Sequence, residues 1–305
     1  MKNSKQTTFS EDDMIAAVYG YLECMCNNMY TILNKFRSDI AKPEDKEDVA
    51  IAQGLLQMAI CRTQSLLKLS KGICIVPNRE EPVLLEPISM IPILRSLYEL
   101  VFIFRNIFIM TDTEEERLIL LNIWKIRGFN NRQKEKVSPR DLKIPNVYLE
   151  KQEKEFKDIE EMRQKIESIL STMDITESAK ATIGKTIKST SSSIKGYKFE
   201  KSGSCITSFS TISLTSSPQH IYNNPQLNAV YTFLSMHTHP SYISALQFGQ
   251  MFNNEHYKKM MRTVLMSACV LNSHLIQDFC KFIPECQKYY EQMEGTDIDE
   301  ELRKQ

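Results

Sequence analysis

"IPILRSLYELVFIFRNIFIM", residues 91–110, is the stretch on which the fold turns. It is long enough to cross a bilayer, and its apolar residues surround the helix instead of lining one face. Three charges fall inside it: Arg95, Glu99 and Arg105. Near a bilayer centre each costs roughly 2.5–3.5 kcal/mol, against about 0.3–0.6 gained per Leu, Ile or Phe. About a dozen such apolar residues offset two charges and fail against three. The stretch therefore reads as the buried helix of a protein core, and no membrane span is expected.

The surrounding sequence repeats its apolar residues every three or four positions. Ser10 and Asp13 form a carboxylate variant of the capping box, and Val18, Leu22, Met25, Met29, Ile32, Phe36 and Ile40 follow on one stripe. After Pro43 a second helix runs through Leu55, Leu56, Ala59 and Leu66 and is expected to stop at Lys71–Gly72. The third follows Pro87. The fourth, "TEEERLILLNIWKIRGF", opens at Thr113 and is expected to close at Gly128. A later helix, "NNPQLNAVYTFLSMH", starts with Asn224 as cap and breaks before Pro240. The last runs from about Asn254 to Met293 with a kink at Pro284, and the tail after Gly295 is polar.

Composition agrees. Nine glycines and eleven prolines are sparse for a turn-rich β protein, and hydrophobic residues make up 42% of the 305. The expected fold is all-α: one helical domain over 1–305, an antiparallel bundle with an insertion at 129–220. Within the insertion, 129–145 is basic and loop-like. Residues 147–170 form a charged helix with a thin stripe at Phe156, Ile159, Met162, Ile166 and Ile169, otherwise exposed. Residues 189–220 are a Ser/Thr-rich loop with short strands at "CITSFSTISL". Lys+Arg and Asp+Glu both number 38, so the chain has no global pull on nucleic acid or anionic membrane. The eight cysteines contain no C-x-x-C pair and fall mostly in apolar helical patterns, and the N-terminus lacks an apolar signal core. Both point to a reduced, cytoplasmic protein.

At 100° per residue, Arg95, Glu99 and Asn106 fall on one narrow polar line of the apolar helix. Buried charges need partners beyond each other. The helix near 224–238 offers a polar stripe at Tyr231 and Ser235, then "LSMHTHPSY", residues 234–242. Pro240 ends that helix and leaves its last carbonyls in need of donors. His237 continues the apolar face and reads as a core histidine. His239 and Ser241 stand at the break. The candidate polar site is thus Arg95, Glu99, Asn106, Tyr231, Ser235, His237, His239 and Ser241, with Arg95 and Glu99 both expected to meet the 235–241 segment and Glu99 to accept from His239, Ser235 or Tyr231. An H-x-H metal site would need a third ligand such as Glu99, and two histidines are weak grounds for zinc, so neither metal nor cofactor is expected.

"RSLYEL" in an apolar helix, with "YTFLSMHTHPS" later, resembles a bacterial all-helical family of unknown function. That family carries an R-x-x-x-E helix and a Y-x-x-x-S segment running into a His-Pro-Ser end. The resemblance implies signature roles for Arg95, Glu99, Tyr231, Ser235, His239, Pro240 and Ser241, and leaves His237 and the insertion outside the pattern. A looser similarity is to HEPN-type helical proteins. Their nucleases carry an Arg followed four to six residues later by His, and that pair is missing here.

No P-loop, G-x-S-x-G or repeated E-x-x-H is present. Without a complete catalytic set, whether the chain is an enzyme stays open. The expected function is a binding or regulatory module with a polar pocket, its partner unspecified and a homo-oligomer compatible with the sequence. The alternative is a hydrolase of nucleic acid or nucleotide, in bacterial defence, with Arg95 on phosphate and Glu99 or His239 moving a proton. The cysteine reading is directly testable. Thiol titration of fresh, denatured, unreduced protein is expected to count all eight cysteines; a shortfall of one disulfide or more contradicts it.

Overall fold

The computed structural model describes residues 10–42, 47–76, 83–133, 146–216 and 226–304. Its helices are α1 (Glu11–Lys35), α2 (Glu47–Leu69), α3 (Ile91–Phe108), α4 (Glu114–Gln133), α5 (Asn146–Thr172), α6 (Glu177–Lys188), α7 (Gln226–Thr238), α8 (Tyr242–Gln250), α9 (His256–Phe282), α10 (Gln287–Tyr290) and α11 (Thr296–Lys304). Two antiparallel hairpins join them, β1 (Ile73–Cys74) with β2 (Val83–Leu84) and β3 (Gly196–Ser202) with β4 (Cys205–Ile212). The fold is all-α. The chain divides into two compact units, Met1–Arg105 with Pro218–Gln305, and Asn106–Ser217. The second begins earlier than the expected insertion, within the last turn of α3.

In the first unit the capping box is present: Asp13 N donates to Ser10 Oγ at 3.1 Å, and Ser10 N to Asp13 Oδ2 at 3.2 Å. The α geometry gives way to a π turn at Phe36–Ile40. α1 packs on α2 and α9, burying Leu22, Met25, Met29 and Ile32 together with Leu56, Val264, Leu271 and Leu275. Each large apolar side chain so buried contributes roughly 1.5–3 kcal/mol. Phe279 meets Phe36 edge-on, with centroids 6.0 Å apart, and lies 6.2 Å from Phe104. α2 stops where expected: Gly72 has φ +91°, and a Cβ there would come 2.4 Å from Val83 Cγ1.

One expectation for the C-terminus fails, and the polar tail folds into a helix. α9 ends at Phe282, because Ile283 is held off the helix (φ −122°) before Pro284, and α10 is a separate short helix. The tail after Gly295 is α11, drawn onto the unit by a buried carboxylate. Tyr21 and Tyr290 donate their hydroxyls to Asp299, and Ser273 Oγ donates to its carbonyl at 2.9 Å. Burial and the Asp299 hydrogen bond push the Tyr21 pKa far up.

In the second unit α4 continues past Gly128 to Gln133, because Ile126 and Asn130 on its buried side keep packing and Asn130 Nδ2 reaches Ser189 O at 3.0 Å. On α5, Lys154, Lys157 and Glu161 are exposed as expected. Ile159, Met162 and Ile166 of the expected stripe are buried, but its ends shift: Phe156 is 63% exposed and Ile169 half-buried, while Glu155 and Leu170 are buried. Glu155 is admitted because Arg132 Nη2 lies 2.6 Å from its carboxylate. Half of the Ser/Thr-rich stretch is not loop. α6, capped by Thr176, precedes a hairpin whose second strand alone was expected. Asn106 pins that hairpin: Nδ2 donates to Tyr197 O at 2.8 Å, and Tyr197 N donates to Oδ1 at 3.0 Å. Residues 134–145, Asn224 and Pro225 lie outside the described residues.

Among the described residues no helix is long and apolar enough to cross a membrane. None of the eight cysteines is in a disulfide. The third charge of α3 is neutralised inside the first unit: Arg105 Nη1 donates to both oxygens of Asp278, at 3.2 and 3.3 Å, and lies 3.4 Å from His274 Nδ1. Asp278 is fully buried. Arg105→Ala takes the guanidinium from a buried carboxylate and is expected to cost roughly 3–5 kcal/mol in urea unfolding; a loss under about 1 kcal/mol, as for an exposed pair, would show the pair to be marginal.

Candidate functional site

The polar line on α3 resolves into separate pieces. In the first unit Arg95 Nε donates to Glu99 Oε1 at 3.0 Å, both side chains about one-fifth exposed (23% and 22%). The Arg95 guanidinium lies 5.7 Å from the centre of the Tyr231 ring, which lies 5.0 Å from that of Tyr98. Arg95, Glu99 and Tyr231 therefore come together, as a cation held between a carboxylate and an aromatic face. Asn106 does not join them: it is buried on the backbone of Tyr197.

The expected hydrogen bonds from Arg95 to the broken end of α7 do not form, because that end is answered locally. Thr238 Oγ1 donates to Leu234 O at 2.6 Å, the Ser241 hydroxyl to Met236 O at 3.4 Å, and Ser241 N to His239 O at 2.7 Å. Ser241 then caps α8 by accepting from Ser244 N at 3.1 Å. Ser235 is half-buried and His239 exposed, and neither side chain makes a hydrogen bond among the described residues. His237 is buried, as its place on the apolar face implies, with its ring 4.8 Å from that of Phe233. One histidine faces inward and the other outward, so the H-x-H pair does not converge. Among the described residues no group of three or more His, Cys, Asp or Glu is placed to hold a metal.

Sequence reading missed Arg62. It stands on α2 in a run of otherwise helix-core spacing, and its Nε donates to Ser96 Oγ at 2.9 Å while Nη1 donates to Met58 O at 3.1 Å. Burial lowers its pKa, and the nearby Cys61 and Glu99 oppose that shift. It has no ion pair among the described residues. Arg62 walls a shallow groove of about 720 Å³ between α2 and α3, with Met58, Cys61, Ser65, Ile93 and Ser96. The signal in the sequence was a lone arginine four residues from Met58 on a face with no acid to pair it.

His237 supplies a pH-dependent term. Neither ring nitrogen makes a hydrogen bond, and Gln247 Oε1, also buried, makes none. Burial lowers the His237 pKa below 6.5, while the Gln247 carboxamide opposes the shift. A base with a depressed folded pKa binds fewer protons folded than unfolded, so stability rises with pH through that window. The contribution is complete above pH 6.5 and is lost as pH falls through the lowered folded value. His237→Phe is expected to flatten the slope of stability against pH below 6.5. An unchanged slope in urea titrations across that range would assign the acid sensitivity to other groups.

No curated protein and no solved structure matches the chain. A family model does, over residues 60–256, a span that holds α3, the Arg95–Glu99 pair, Tyr231 and the His-Pro-Ser segment. The chain belongs to that family, the family of unknown function DUF5677.

Proposed function

We propose that this chain is a non-catalytic binding module, and that the face carrying Arg62, Arg95, Glu99 and Tyr231 is where it meets its partner. The observation that carries this reading is Arg62. It is a partly desolvated guanidinium on the wall of an open groove, held at two of its nitrogens by neutral acceptors, with Glu99 nearby but no carboxylate in ion-pair contact among the described residues. Such a charge awaits an anion. Met58, 45% exposed, adds an apolar contact beside it. The combination fits an amphipathic helical peptide whose acidic residue reaches Arg62, in the helix-in-groove manner. Glu99 lies near enough to act electrostatically on Arg62, and Arg95 pairs with Glu99 beside the Tyr231 ring.

The hydrolase alternative finds no supporting geometry, since no hydrogen bond links His239 to Arg95 or Glu99. A cytoplasmic setting belongs to the same reading and is supported by the eight cysteines, none of which is in a disulfide. So does self-association: Met236, Tyr242, Ile243 and Phe248 expose apolar surface from α7 and α8.

Helical peptides selected by display on the immobilised protein, with counter-selection on Arg62→Glu, test the groove. Acid-bearing amphipathic sequences should enrich on the parent protein and lose affinity roughly tenfold or more on Arg62→Glu, as removal of a charge-assisted hydrogen bond implies. Equal binding to both proteins overturns the assignment. Arg95→Ala is expected to cost about 1 kcal/mol or less, because its pair reaches solvent. A cost of about 3–5 kcal/mol would make that pair a structural clamp.

A further inference from the structure

The second unit holds a cleft of its own, of about 520 Å³, between the C-terminal half of α4 and the connector that leads from α6 into β3. Its lining includes Lys125, Arg127, Arg132 and Lys195, and no carboxylate. It also includes three aromatic rings, Trp124, Phe129 and Tyr197. Arg132 is occupied, paired with Glu155 and lying 5.4 Å from the Phe129 ring centre.

Arg127 is differently placed. Its Nη1 donates to Ser189 Oγ at 3.0 Å and Ser191 O at 2.7 Å, and its Nη2 donates to Thr186 O at 3.3 Å and the Tyr197 hydroxyl at 3.4 Å. All four acceptors are neutral. Nε is buried and makes no hydrogen bond, and no carboxylate pairs with the guanidinium among the described residues. The result is a full positive charge, fixed in orientation, with one donor unused.

Tyr197 is as firmly held. It is 4% exposed, its backbone is clamped by Asn106, and its ring stacks on Phe209 at 5.2 Å with 8° between planes. Its hydroxyl oxygen accepts from Arg127, so the O–H proton remains to be donated. Lys195 stands exposed at the rim with no ion pair among the described residues. The cleft therefore has in its lining a buried, unpartnered N–H of Arg127, the hydroxyl of Tyr197 and positive charge without an ion pair at Arg127 and Lys195, beside aromatic rings. Those features match an anionic oxygen group joined to a flat ring system, and the volume lies in the small-molecule range of roughly 300–1,000 Å³.

We propose that this cleft binds a nucleoside phosphate, with its base against Trp124 and its phosphate towards Arg127 Nε, the Tyr197 hydroxyl and Lys195. Trp124 is the one tryptophan of the chain, so its fluorescence reports on this cleft alone. The full-length protein is titrated with adenosine and guanosine mono-, di- and triphosphates, with inorganic phosphate, and with a single-stranded oligonucleotide. Absorbance is corrected against N-acetyltryptophanamide. A saturable change at one nucleoside phosphate per chain is expected, with inorganic phosphate roughly tenfold weaker or more because it forgoes the ring. Arg127→Ala should weaken binding roughly tenfold or more. Because Arg127 also ties down the connector, Lys195→Glu supplies a second arm at an exposed position. It should weaken binding several-fold while leaving the melting temperature unmoved.

Absence of a saturable response to every nucleoside phosphate at about millimolar concentration overturns the proposal. So does unchanged affinity in Lys195→Glu. An oligonucleotide that binds roughly tenfold tighter than all the mononucleotides would replace the small ligand with single-stranded nucleic acid.

Discussion

Helix α3 can be buried only if each of its polar groups is answered by another part of the chain. Most of its circumference is buried, and Arg95, Ser96 and Glu99 reach water only in part. Arg105 is answered by Asp278 and His274, Arg95 by Glu99 and the Tyr231 ring, Ser96 by Arg62, and Asn106 by the backbone of Tyr197. These requirements fix the rest. α9 must bring a carboxylate to Arg105, α7 must bring an aromatic face to Arg95, and β3 must bring a strand backbone to Asn106. Apolar burial supplies most of the stability but is indifferent to rotation and register. The polar contacts are directional, and they select one arrangement among many that would bury the same area.

What was legible in the sequence is what depends on neighbours in sequence. The Ser10–Asp13 cap, the stop at Gly72 and the break at His239–Pro240 follow from local sterics and local hydrogen bonds, and each stands where its residues imply. The Arg95–Glu99 pair follows from helical spacing alone. The buried character of His237 follows from its place on an apolar face. α6, β3 and α11 were not legible, because their apolar stripes are short and their polar residues are matched from far away. Asp299, for instance, takes its hydrogen bonds from Tyr21 near the other end of the chain. The same distance hid Arg62 and the partner of Arg105. Nothing local to His274 and Asp278, four apart on α9, says which arginine pairs with them.

The net charge of zero is a poor guide to local electrostatics here. Three acids that enter the interior come with cations, Asp278 with Arg105, Glu116 with Lys201 at 2.6 Å and Glu155 with Arg132, whereas Asp299 is met by tyrosine hydroxyls and Glu86 by the backbone N–H groups of Ile88 and Ser89. In the three ion pairs the opposite charges offset one another. Unneutralised charge lies at Arg62 in the first unit and Arg127 in the second, which make no ion pair among the described residues. A global sum cancels them against exposed carboxylates elsewhere, whose influence fades over the roughly 8–10 Å Debye length of ordinary salt.

Those two arginines share a construction that bears on binding. Each is held by neutral hydroxyl and carbonyl oxygens, which fix the guanidinium plane without neutralising its charge. A flexible cation on the surface would lose about 0.5–1.5 kcal/mol of side-chain freedom when it captured an anion. Here that ordering has already occurred during folding, so more of the attraction remains for the incoming group. Lysine does not reproduce the arrangement: its ammonium is a compact point charge with three donors, whereas the planar fork presents five N–H groups at once. At Arg127 that geometry lets four N–H groups serve the fold while the fifth is left for a ligand. One residue then stabilises the connector from α6 to β3 and keeps the charge of the cleft, so the unit that builds the hairpin also builds the site.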